Sequence, residues 1–285
     1  MIGTKRIDKS NDLKGHQCRQ NVHNHKNTES RQDKKKGQDW QSKSNLKNQK
    51  IRGDGQSQPN QLSQLKIEKT DLEEKVIAIA GNPNVGKSTV FNSLTGLNQH
   101  TGNWPGKTVS NARGRFVHKN KSFILVDIPG TYSLMASSVE EEIARDFICF
   151  GNPEATIIVA DATCLERNLN LVLQALEMTE KSVVCINLMD EAKRKKINID
   201  IKELSKLLGV PVVGTCARNS KGLDALMDQI YNITVENHKT NPYIIKYDKP
   251  IEDAIEILEA AVKKNLAGLN SRWVTIKLLD GDVKL

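Results

Sequence analysis

Gly81-Asn82-Pro83-Asn84-Val85-Gly86-Lys87-Ser88-Thr89 has the residue types and spacing to hold a phosphate chain. Two glycines let a backbone curl with its N–H groups pointing inward, and the lysine and hydroxyl that follow suit the β- and γ-phosphates and Mg²⁺. The apolar run Val76-Ile77-Ala78-Ile79-Ala80 precedes this turn, and Val90-Phe91-Asn92-Ser93-Leu94 follows with helical periodicity. Strand, glycine-rich turn and helix are the context in which such a loop works, because the helix start adds free N–H groups and its dipole. Lys87 is therefore the candidate phosphate ligand, and Ser88 the candidate magnesium ligand. Thr89 continues the loop into the helix.

Three further clusters choose among nucleotides. Asp127-Ile128-Pro129-Gly130 ends the apolar run Ser122–Val126. An acid there can hold the magnesium shell, and a glycine three residues on can offer its N–H to the γ-phosphate. Asn187-Leu188-Met189-Asp190 ends a second apolar run, Val183–Ile186. A carboxylate at Asp190 accepts both the ring N1–H and the exocyclic amine of guanine, a donor pair that adenine lacks. Asn187 is expected to brace the loop and face the base, and Leu188 stands where a lysine commonly packs on it. Thr215-Cys216-Ala217-Arg218 then fits a loop that backs the base through N–H groups, with Cys216 in place of the common serine. Thr108 is the candidate switch threonine that closes over Mg²⁺. Thr131 occupies the position of a water-orienting glutamine and is too short for that task, so hydrolysis is expected to be slow.

The elements that position these groups follow from the apolar pattern. Strands are expected at 75–80, 110–118, 121–127, 155–162, 182–188 and 210–215, with helices near 140–150, 166–179, 200–208 and 223–237. Apolar strands alternating with helices argue an α/β fold: a nucleotide-binding domain with a largely parallel, doubly wound sheet. Residues 98–109, rich in Gly, Asn and Pro, read as a mobile loop without an element. Tyr243–Tyr247 reads as a strand, and 251–266 has apolar positions at helical spacing, the start of a second, mainly helical unit.

Length and charge set the remaining bounds. The 285 residues allow one or two domains with a real core. Residues 1–66 carry 15 Lys and Arg against 6 Asp and Glu, whereas the whole chain is only +8, so the basic character belongs to the tail. Poor in apolar residues, that tail is expected to be disordered and solvated. His16, Cys18, His23 and His25 lack the paired spacing of a zinc site, and Lys34-Lys35-Lys36 reads as part of a solvated basic segment rather than a specific nucleic-acid contact. Five scattered cysteines read as reduced, mostly buried thiols. No stretch nears the roughly 18 apolar residues of a membrane helix, so the sequence as it stands is expected to be soluble.

Taken together, Gly-Asn-Pro-Asn-x-Gly-Lys-Ser, Gly102-Asn103-Trp104-Pro105-Gly106-x-Thr108, Asp127–Leu134 and Asp161-Ala162-x-x-Leu165-Glu166-Arg167-Asn168-Leu169 resemble the cytosolic part of the FeoB family of bacterial ferrous-iron transporters. The resemblance runs from about Val76 to Leu285. It implies a P-loop GTPase domain over 67–240 and, over 241–285, the start of a helical spacer that slows nucleotide release, while the tail over 1–66, expected to be disordered from its composition, matches nothing in the family. GTP/GDP, Mg²⁺ and K⁺ are the implied cofactors. By position Asn84 would bind potassium with backbone carbonyls around Gly102 and Trp104, while Ser88, Thr108 and Asp127 would serve magnesium. The implied partner is a membrane region of the same full-length protein at the cytoplasmic face of the bacterial inner membrane, and a homo-oligomer is compatible with this. Two other readings stay open at this point: a soluble GTPase of ribosome assembly or RNA modification, and an inactive nucleotide-binding adaptor.

Overall fold

In the computed structural model the described residues are Leu65, 67–96, 99–263, Leu266 and 268–282. The tail expected over 1–66, Leu65 apart, lies outside them, as do His16, Cys18, His23, His25 and Lys34–Lys36. Seven strands form one sheet: β1 (Lys75–Gly81), β2 (Gln99–Asn103), β3 (Ser110–His118), β4 (Lys121–Asp127), β5 (Ala155–Asp161), β6 (Ser182–Asn187) and β7 (Val212–Gly214). Their order is β2-β3-β4-β1-β5-β6-β7. β4, β1, β5, β6 and β7 run parallel, whereas β2–β3 and β3–β4 pair antiparallel.

The parallel strands are largely apolar because both faces are covered, whereas β2 and β3 at the antiparallel edge are mostly polar. Ile77 and Ile79 of β1 point into one core with α1 (Lys87–Thr95) and α6 (Leu223–Thr234). Val76, Ala78 and Ala80 point into the other, with α2 (Val139–Phe150) and α3 (Leu165–Met178). α4 (Met189–Arg194) and α5 (Ile201–Leu208) follow β6, and α7 (Lys249–Val262) and α8 (Ser271–Leu279) close the described chain. Trp273 and Val274 of α8 enter the second core. Among the described residues no helix is long and apolar enough to cross a membrane.

Two expectations are corrected. Residues 99–103, read as loop, form β2, in register Thr101↔Ala112 and Asn103↔Ser110. The exposed edge of β3 supplies a ladder that overrides the low strand propensity of Thr-Gly-Asn. Conversely, Tyr243–Tyr247 forms no strand, because its backbone groups have other partners. Tyr243 N–H donates to Leu208 O at 2.9 Å, Ile245 O accepts from Arg272 at 2.8 Å, and Tyr247 N–H donates to Glu252 at 2.8 Å. The short helix α4 and the helix α8 were not expected from periodicity. The thiols are also less uniformly buried than expected: Cys185 is buried, Cys149 and Cys216 are half-buried and Cys164 is exposed. Burial pushes the thiols of Cys149 and Cys185 up to about 12, leaving both protonated and unreactive.

Arg272 fastens the helical pair, donating to both Glu252 carboxylate oxygens at 2.7 and 3.0 Å. The Arg272 side chain, then the Tyr247 N–H, hold the Glu252 carboxyl down to about 2. A carboxyl whose folded value lies below its unfolded one stabilises the fold above the unfolded value and loses that contribution as pH falls through the folded one. Between about pH 4.5 and 2, acid unfolding of the wild type should therefore be steeper than that of Glu252→Gln. Circular dichroism against pH reads the difference, and identical slopes would remove Glu252 from the acid response.

Candidate functional site

The C-terminal ends of β1, β4 and β6 bring three of the sequence clusters together. Gly81 closes β1, and Gly86 turns the chain into α1 with φ 82°. Asn84, Ser88 and Thr89 are exposed at the rim of this turn, while Asn82 and Val85 are buried beneath it. Lys87 Nζ donates to Asp127 Oδ1 and, at 2.8 Å, to Ile128 O. Burial raises the carboxyl of Asp127, and the Lys87 charge opposes that rise. The segment after Asp127 lies along the loop: Ile128 N–H donates to Ile79 O at 3.2 Å, and Thr131 N–H to Gly81 O at 3.3 Å. Pro129 and Gly130 lie between these two bonds, which holds Gly130 beside the phosphate loop.

Asn187 at the end of β6 joins the phosphate loop to the base loops. Its amide donates to Val85 O at 3.1 Å, and its Oδ1 accepts from Thr215 Oγ1 at 3.1 Å and from Ala217 N–H at 3.1 Å. Asn187 is thus a brace between the two loops, with one of its two amide N–H groups given to Val85 O. Leu188 next to it adopts φ 62°, ψ 33°, a left-handed conformation that costs a leucine about 1–2 kcal/mol. The bonds on either side fix that turn, and strain of this kind gathers at functional sites. Met189 N–H donates to Thr215 O at 3.2 Å, so the two base loops touch. Asp190 and Cys216 line one cavity of about 590 Å³ with Lys193 and Lys221. Ala217 is buried, Arg218 is exposed, and Ser93 Oγ of α1 donates to Ala217 O at 3.1 Å.

Thr108 is exposed, in a loop whose neighbour Lys107 pairs with Glu142 of α2 at 3.0 Å. Gly102 lies in β2 opposite Asn111, and Trp104 is buried in the core. Sequence reasoning missed Gln174 of α3, whose Oε1 accepts from Leu134 N–H at 2.7 Å and from Ser133 Oγ at 3.3 Å. It anchors the segment after Gly130, a role that no local spacing signals. Arg167 lies over the Tyr132 ring at 4.5 Å and braces the same segment.

Comparison with known proteins agrees with this geometry. Residues 75–230 match the family profile described as "Ferrous iron transport protein B", and residues 247–285 match "FeoB cytosolic helical domain". The chain belongs to the FeoB family. It is 36% identical over 218 residues to the Fe(2+) transporter FeoB of Salmonella typhimurium, covering 74% of this chain and 28% of that relative. The FeoB of Escherichia coli K12 matches at 35% over the same length. The chain therefore spans less than a third of the curated relatives' length. Among solved FeoB structures, the cytosolic domain from T. maritima in apo form is 39% identical with a TM-score of 0.70, covering 74% of this chain and 83% of that one. The GMPPNP form of the same domain is 40% identical with a TM-score of 0.70, at 74% and 82% coverage.

Proposed function

We propose that this FeoB chain is a GTP-binding, slowly hydrolysing switch that regulates or drives ferrous-iron uptake through a membrane region of a longer protein. Residues 67–240 act as the GTPase domain and 241–285 as the start of the helical spacer, at the cytoplasmic face of the inner membrane. The observation that carries this reading is the Asn187 junction, which ties a phosphate loop to a guanine-type loop at one end of one sheet. Solved relatives in GDP and GMPPNP forms support the choice of nucleotide. The family match over both 75–230 and 247–285 disfavours the RNA-directed alternative.

In this reading the N–H groups of 81–89 and Lys87 take the phosphates, and Asp190 takes the base. The exposed hydroxyls of Ser88 and Thr108 and the carboxylate of Asp127 fit a hard divalent ion, Mg²⁺, which supplies charge neutralisation on the phosphates. Asn84 is exposed with φ 66°, and among the described residues its side chain makes no hydrogen bond. Its carbonyl oxygen fits K⁺, together with main-chain oxygens of Gly102 and Trp104. Thr131 is buried and its N–H is bound to Gly81 O, so no side chain at that position orients water. Charge compensation must then come from elsewhere.

GTP turnover should accordingly run faster in potassium than in sodium by about tenfold or more. Asn84→Ala should lose that difference while still binding GDP. Phosphate release in matched KCl and NaCl measures it. Equal wild-type rates in both salts would overturn the potassium assignment, and no GTP turnover in either would overturn the enzymatic reading.

A further inference from the structure

The antiparallel edge of the sheet carries a cavity of about 260 Å³ that shares no lining residue with the nucleotide loops. Ile67, Glu68, His100, Arg113, Arg115 and Ile124 line it. His100 and Arg113 are register partners in the β2–β3 ladder, and Arg115 follows two residues on. All three side chains therefore leave the same face of the sheet.

The two arginines differ in what answers their charge. Arg115 donates to Glu74 Oε1 at 3.0 Å and to Thr70 Oγ1 at 2.7 Å. Arg113 has no such partner: among the described residues its Nε is buried without a hydrogen bond, and no carboxylate pairs with it. A guanidinium stays charged, and a buried donor on a charged group is costly to leave unpaired. An oxyanion in the cavity removes that cost, because it meets Nε–H and a neighbouring N–H together, as a fork. Ile67 and Ile124 form an apolar wall beside it, which strengthens such a contact.

Glu68 selects among oxyanions. Its carboxylate repels an anion that has lost every proton, but accepts a hydrogen bond from one that keeps an O–H. Phosphate keeps a proton near neutral pH and sulfate does not. We propose that this cavity is a second anion site, separate from the nucleotide site, for a phosphate oxyanion carrying a proton: Arg113 and His100 donate to its oxygens, and Glu68 accepts its O–H. The ligand then bridges β2 and β3. Because β2 pairs with β3 alone and runs directly into the loop of Thr108, occupancy steadies the strand from which that loop departs.

The test fills the phosphate loop of the full chain with GMPPNP and follows labelled inorganic phosphate by equilibrium dialysis. The wild type should bind it saturably, with a dissociation constant of about 1 mM or below. Arg113→Gln should weaken binding by about tenfold or more, because the charged fork is lost. Arg113→Lys, which keeps the charge without the fork, should recover only part of it. Sulfate should compete about tenfold less well than phosphate, and Glu68→Gln should erase that preference, since a glutamine amide donates to sulfate. Phosphate should also slow hydrogen exchange of the β2 amides in the wild type and not in Arg113→Gln. GMPPNP affinity within about threefold of wild type shows that a variant is folded. Should Arg113→Gln fail that check, Glu68→Gln, an exposed position, carries the comparison.

No saturable binding up to about 10 mM phosphate overturns the site. Equal binding by wild type and Arg113→Gln does so too, since phosphate is then held elsewhere. Sulfate competing as well as phosphate overturns the role of Glu68 and, with it, the protonated ligand. Glycerol 3-phosphate separates the two sources of this chemistry. Affinity at or above that of phosphate makes the ligand a phosphomonoester, and weaker binding makes it free phosphate. A chain that binds no GMPPNP refutes the nucleotide reading, and the Arg113→Gln comparison without nucleotide still decides this site.

Discussion

Replacing Gly86 with alanine is expected to abolish guanine-nucleotide binding while leaving the sheet folded. Gly86 has φ 82°, where a side chain is strained by about 1–2 kcal/mol. An added Cβ would also lie 2.4 Å from Asn187 Nδ2. Ordinarily the end of an amide side chain gives way, but this one is held at both ends by bonds to Val85, Thr215 and Ala217. Relief must either flatten the phosphate loop or pull Asn187 from its partners, at about 1 kcal/mol for each buried bond lost. Either route disorders the loops at both ends of a bound nucleotide. Together these costs correspond to a loss of two orders of magnitude or more in affinity, at about 1.4 kcal/mol per tenfold. Calorimetric titration with GDP measures it. An alanine variant binding GDP within about threefold of wild type would show that the junction yields freely. Asn187→Ala should reproduce most of the loss, and the double variant should be little worse than either single one, because both break one connection.

That junction marks where the sequence was legible and where it was not. The phosphate loop, the strands carrying it and Asp127-x-x-Gly130 could be read because each is local: composition, spacing and flanking pattern sit within one strand-turn-helix unit. The bonds that make Asn187 a brace span 102, 28 and 30 residues. Spacing could place Asn187 at the end of a strand but could not aim its amide. For β2, the deciding partner was the edge of β3, and Thr-Gly-Asn carries no period of its own. Tyr243–Tyr247 failed in the opposite sense: its residues suit a strand, but Leu208, Glu252 and Arg272 take its backbone groups first. Trp104 offered one signal that could have been used. A large aromatic alone in a Gly-Asn-Pro loop must either be exposed at a cost or be buried as an anchor.

Exchanging Asp190 for asparagine should change which base is bound without changing how phosphate is held. Asp190 is half-buried at the start of α4, beside Cys216 and in a cavity it shares with Lys193 and Lys221. In the proposed reading its carboxylate accepts from both the N1–H and the exocyclic amine of guanine. Asparagine keeps one acceptor and turns the other position into a donor, which meets the amine of guanine donor to donor. Xanthine has an oxygen at that ring position and accepts the new donor. Hydrogen bonds to a charged group contribute about 1.5–3 kcal/mol each, so losing one and opposing a second should weaken GDP binding by roughly 10²–10⁴-fold. Xanthosine diphosphate should gain in proportion. Competition between the two nucleotides against a fluorescent analogue reads the reversal, and an Asp190→Asn protein still preferring GDP would take the base contact away from this residue. Gly86→Ala and Asp190→Asn then separate the two halves of the site. The first should lose GDP and xanthosine diphosphate alike, because the phosphate cradle is common to both. The second should lose only one, because Lys87 and the loop N–H groups lie on a different strand end and do not depend on which base is bound.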